Sequence, residues 1–242
     1  IINSYGWRSI FAAFILFSLV STFWISMRLN EPLAVNDRRP IRMHLMIDAV
    51  KQMLTHKTVR ISILMQTIML AMLFTTLTMI QPIYDQIYGR AESFPFWFGM
   101  VALFSGTSSL LNAFIVTRFG MHKVITWAIT FQVIIGGMVL VTMSTVASDG
   151  FYLFIFWQFC LFAQAGLTMG NLNAIAMEPM GHIAGMAASV IGAISTIAAA
   201  MIASPASLLF TDTARPLIAI VLVLGIFAVL LMRRMNQIER AI

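Results

Sequence analysis

Seven carboxamides stand inside runs of otherwise apolar residues: Gln66, Asn112, Gln132, Gln158, Gln164, Asn171 and Asn173. A carboxamide donates and accepts hydrogen bonds without carrying charge. Facing lipid it is costly, because hydrocarbon offers no partner. Two uses remain. The amides line a polar cavity that receives a small molecule, or they tie helices together at roughly 0.6 kcal/mol each. Four of the seven fall in one stretch, 152–176, the expected cavity-lining helix. Other chemistry is thinly provided for. His44 and His56 share a loop, while His122 and His182 lie far from it and from each other. There is no HExxH, no GxSxG and no glycine-rich phosphate loop, so the chain is not read as an enzyme. The single cysteine, Cys160, excludes a disulfide framework and a cysteine-rich metal site. No metal or cofactor is implied.

The runs that hold these amides are the elements that position them. Stretches 9–27, 61–80, 95–116, 124–146, 152–176, 184–207 and 216–232 contain no Asp, Glu, Lys, Arg or His. About 20 apolar residues cross a bilayer as a helix, and a charge at its centre costs roughly 2.5–3.5 kcal/mol. The 242 residues are 60% hydrophobic and only 10% charged, too few charges to cover a soluble surface or sustain disorder. The expected fold is all-α: a polytopic membrane protein of seven transmembrane helices. The last stretch is short, and snorkelling by Arg215, Arg233 and Arg234 lengthens it. Trp97, Trp127, Tyr152 and Trp157 fall near helix ends, where they serve as an interfacial belt or as ordinary packing.

Charge sets the orientation. Arg28, Arg38, Arg39, Arg42, Lys51, Lys57, Arg60, Arg118, Lys123, Arg233, Arg234 and Arg240 fall on one side, against Arg8, Arg90 and Arg215 on the other. The richer side is expected to be cytoplasmic, with the C-terminus inside. The net charge of +6 then follows from topology and calls for no nucleic acid. Residues 1–29 hold the first helix and 30–60 a long cytoplasmic loop. Residues 61–232 hold six helices and 233–242 a tail. The loop has an amphipathic segment, 43–57, with Met43, Met46, Ile47, Val50, Met53 and Leu54 on one face, suited to the membrane interface. One helix, a long basic loop and six helices fit the last helix of a first half followed by a complete second half. The chain starts Ile1-Ile2, and a longer chain that has lost its first part is the expectation.

Small residues suggest close helix contacts. Gly166 and Gly170 form a GxxxG pair. Ala184, Ala188, Gly192, Thr196, Ala200 and Ser204 recur every fourth residue, with Gly185, Ser189 and Ala193 widening the face. Such a strip packs a neighbouring helix or lets two helix groups rock. Glu178, beside Pro179, stands at a helix end as a solvated residue or a gate partner.

Two stretches resemble a known family. Gly6-Trp7-Arg8, then a helix, then Glu31-Pro32 and Arg38-Arg39-Pro40, is similar to the sixth helix and central loop of the major facilitator superfamily. Asn173-Ala174, Pro179, Ala184-Gly185, Ala187-Ala188-Ser189 and Gly192 resemble the tenth and eleventh helices of its Bcr/CflA multidrug efflux group. Thr117-Arg118-Phe119-Gly120-Met121-His122-Lys123 partly echoes a loop motif of the family. Arg118 and Gly120 match, and Thr117 replaces the acidic residue. The resemblance covers the chain as helices six to twelve of twelve. It implies proton-coupled efflux of drug-like or small organic molecules, with a proton as coupling ion and the coupling carboxylates in the first half. It implies a bacterial inner membrane, a monomer when full length, and a small-molecule substrate, the lipid bilayer and the missing N-terminal half as partners. Uptake of a metabolite by the same superfamily, or a membrane receptor or scaffold, are the alternatives. A light-driven pump is disfavoured, because 216–232 contains no lysine for a Schiff base.

Overall fold

The computed structural model describes residues 6, 8–29, 43–145 and 150–240. Glu31-Pro32, Arg38-Arg39-Pro40 and the side chains of His44 and His182 lie outside the described residues. The chain divides into two units, Ile1–Met43 and His44–Ile242. The first holds α1, Arg8–Arg28. Its start is closed by Ser9 Oγ donating to the Gly6 carbonyl at 2.6 Å, and at its end Arg28 lies over the Trp24 ring at 5.5 Å.

The second unit begins with α2, Met43–Thr55, the amphipathic segment of the loop. Ile47 and Leu54 are exposed, but Met53 is fully buried beside Val59 and Ile63. Met53 thus anchors the helix to protein. His56 breaks it, and α3 follows at Lys57–Pro82. Pro82 closes α3 into a π-helical turn, Ile83–Ile87. Then come α4, Phe94–Phe119, and α5, Met121–Thr145. One residue, Gly120, separates them at φ +81°, a left-handed backbone that favours glycine. Next are α6, Phe151–Met177, a 3₁₀ turn, Glu178–Ile183, α7, Ala184–Ser207, and α8, Arg215–Arg240. Among the described residues seven helices, α1 and α3 to α8, are long and apolar enough to span a bilayer.

Helix α3 packs on α6, α7 and α8, while α6 packs on α3, α4 and α5, and α5 also packs on α8. Exchanging α3 with α6, α4 with α7 and α5 with α8 maps each of these main pairings onto another or onto itself, while the slighter α4–α5 and α6–α7 contacts have no such counterpart. Three helices is an odd number, so the second triplet enters from the opposite side of the membrane to the first. This is the pattern of an inverted repeat.

Lipid is as apolar as leucine, so burial alone drives none of these pairings, and close backbone approach matters more. A Cβ on Gly166 of α6 would overlap Ser108 Oγ of α4. A Cβ on Gly225 of α8 would stand 2.8 Å from Val133 Cγ2 of α5. On α7 the buried stripe is Ala187, Ile191, Ser195, Ala199 and Ala203, with Ser195 Oγ donating to the Ile63 carbonyl of α3 at 3.4 Å.

Candidate functional site

The seven amides do not converge on one point. They are distributed over α3, α4, α5 and α6, and their surroundings separate them into three kinds.

Asn112 of α4 and Asn171 of α6 form a reciprocal pair. Asn112 Nδ2 donates to Asn171 Oδ1 at 3.3 Å, and Asn171 Nδ2 donates to Asn112 Oδ1 at 2.8 Å. Asn171 Nδ2 also reaches the Leu167 carbonyl at 2.8 Å. This pair is the end of a polar stripe on α4. Ser105, Ser108 and Asn112 meet, in turn, the Phe159 carbonyl at 3.3 Å, Gly166 and Asn171 of α6. Sequence reading found Asn112 and missed the two serines. Their spacing of three and then four residues was the available signal, since it places all three on one helix face.

Gln158 belongs to an aromatic group. Its Oε1 accepts from Tyr84 Oη at 2.9 Å. The Tyr84 ring meets Phe94, Phe151 and Phe154 edge-on at 5.1, 5.6 and 6.1 Å, and Phe154 stacks on Trp157 at 5.6 Å. Arg90 lies over Phe151 at 4.2 Å. Tyr84 and Trp157 are fully buried, so they pack the interior, whereas Trp127 and Tyr152 are exposed as belt residues would be.

The remaining amides are less satisfied. Gln164 Nε2 donates to Met69 Sδ at 2.8 Å, a weak acceptor. Gln66 Nε2, Gln158 Nε2 and both polar atoms of Gln132 are buried with no hydrogen-bond partner among the described residues. Asn173 is half-buried on α6.

The same pair α4 and α6 carries a groove of about 400 Å³. Trp97, Met100, Phe104, Tyr152, Phe156 and Phe159 line it. The Asn112–Asn171 pair lies farther along these two helices, so a greasy groove and a polar contact share one interface. Among the described residues no cluster of three or more His, Cys, Asp or Glu could hold a metal.

The gating and packing candidates lie elsewhere. Arg118 is exposed, with its guanidinium over the Phe119 ring at 5.4 Å, and Gly120 makes the sharp α4–α5 turn. Glu178 opens the 3₁₀ turn and is exposed, with Pro179 following it. Ser189 Oγ donates to the Gly185 carbonyl at 3.0 Å. Gly185 and Gly192 are exposed, and a Cβ on either would meet nothing within 4 Å. The four-residue strip through Gly192 therefore lies on the outward face of α7, beside the stripe that packs on α3. Arg215 Nη2 donates to the Met143 carbonyl, tying the start of α8 to the end of α5.

No curated protein and no solved structure matches the chain at significance. A profile of the Major Facilitator Superfamily matches residues 1–204, more than half of the chain. That family carries out secondary transport and not catalysis, in keeping with helices long and apolar enough to span and a six-helix unit of two exchangeable triplets. The chain belongs to the Major Facilitator Superfamily of membrane transporters.

Proposed function

We propose that this transporter exports drug-like or small organic molecules in exchange for protons, and that the chain supplies the second half of its bundle with the helix before it. The observation that carries the reading is the α4–α6 interface. Its mainly aromatic groove suits an apolar body, and the soft side chain of Met100 adapts to varied shapes. The amides of α6 offer hydrogen bonds without selecting for charge. The likeness of Asn173-Ala174, Pro179 and 184–192 to the Bcr/CflA group favours export over uptake. No Asp, Glu, Lys, Arg or His lies within the apolar stretches of α3 to α8, so the coupling carboxylate belongs to the first half of the bundle. The outward small-residue strip of α7 is the surface on which that half rocks, and a bacterial inner membrane with the C-terminus inside is the setting.

Everted membrane vesicles from cells expressing the gene test this. A fluorescent lipophilic cation should accumulate when a pH gradient is imposed and leave when a protonophore is added. Accumulation that ignores the protonophore removes proton coupling. Gradient-driven movement only in right-side-out vesicles makes the protein an uptake permease.

A further inference from the structure

We propose that a cleft between the start of α3 and the end of α8 binds the headgroup of an anionic phospholipid. The cleft has a volume of about 250 Å³. Lys57, Arg60 and Arg234 line it together with Leu64, Leu231 and Ile238. Nothing in the transport reading uses these residues.

The helices give the cleft its polarity. On α3, Lys57 and Arg60 sit in the first turn, and Leu64 follows one turn deeper into the span. Helix α8 runs the other way, so Leu231 is deeper than Arg234. Three cations therefore stand at one level with an apolar floor beneath them. All three are exposed, and none is paired with a carboxylate among the described residues. The N-terminus of α3 adds its own positive end, because His56 at the cap makes no side-chain hydrogen bond to the first-turn amides.

Chemistry narrows the occupant. Three exposed cations at one level favour a phosphate that carries net charge over a zwitterionic headgroup. The apolar floor favours an acyl chain over a free anion, since Leu64 and Leu231 belong to the membrane-spanning parts of their helices. Basic pockets between transmembrane helices at the headgroup level suit such lipids, at about a fivefold gain in affinity per cation. The site is built from α3 and α8 alone.

The test is retention of lipid by the purified chain, read by native mass spectrometry after release from nanodiscs containing equal phosphatidylglycerol and phosphatidylcholine. The wild-type chain should keep phosphatidylglycerol in preference. Lys57→Gln, Arg60→Gln and Arg234→Gln together should weaken that retention on the order of a hundredfold. Arg60→Gln and Arg234→Gln singly should each weaken it about fivefold, and they keep the proposal open to refutation if the triple variant does not fold. Phosphatidylglycerol retention unchanged in the folded variants overturns the proposal. So does equal retention of phosphatidylcholine by the wild type. Displacement of the lipid by millimolar inorganic phosphate would show a site for a small anion and also overturn it.

Discussion

The two ends of α6 are built on opposite plans. Its first half, from Phe151 to Leu161, lies among rings: Tyr84, Phe94, Phe154 and Trp157 pack edge-on or stacked, and one buried tyrosine–glutamine hydrogen bond sits within them. Its second half, from Gln164 to Asn173, is lined with amides and small residues and meets a polar stripe on α4. Rings at 5–6 Å hold a fixed arrangement, because each edge-to-face contact is directional. Amides can exchange one partner for another at small cost, since the net worth of each bond is small in a membrane. The comparison teaches that directional ring contacts fix one end of the helix, while amide contacts of small net worth hold the other.

The largest way to break that contrast is at the aromatic end. Trp157→Ala should destabilise the purified protein by about 3–5 kcal/mol, the usual cost of an emptied aromatic site. Unfolding in detergent would show it, and a loss under about 1 kcal/mol would mean the rings are not the anchor. Gly166→Val comes next. The added side chain would collide with Ser108, prise α4 from α6 and cost about 1–3 kcal/mol. The distance between spin labels on α4 and α6 should rise, and an unchanged distance with full stability would discard the close approach. Gly192→Leu is the smallest in stability, within about 0.5 kcal/mol of wild type, because the site opens outward. Transport should nevertheless fall while membrane insertion persists. Unchanged transport would sink the rocking strip.

Much of this architecture was readable from residue types. The exclusion of charge marked every long helix. Helices α3 and α8 outlast their apolar stretches because Lys57, Arg60 and 233–240 continue the helix into the headgroup zone, where backbone bonding no longer depends on lipid. Two features were not legible. On α7 alanine, glycine and serine occur all round the helix, so the strip through Gly192 and the stripe through Ala187 look alike, and only the position of α3 decides which is buried. Trp157 reads as belt or as core until Phe154 and Tyr84 are seen beside it. The amide positions were readable, but their partners were not: pairing Asn112 with Asn171 depends on a Gly166 contact that brings α4 and α6 together.

We propose that the amides late in α6 give hydrogen bonds to a substrate whose apolar body lies in the α4–α6 groove. The measurement that tests it most directly is the ratio of transport rates for two dissimilar substrates in Asn173→Ala and Gln164→Ala, with unfolding followed on the same preparations. The account predicts a ratio shifted about fivefold or more with stability within about 1 kcal/mol of wild type, since each amide bond is worth roughly 0.6 kcal/mol to the fold. Equal loss for both substrates, in step with a loss of folded protein, would contradict it and make these amides helix glue.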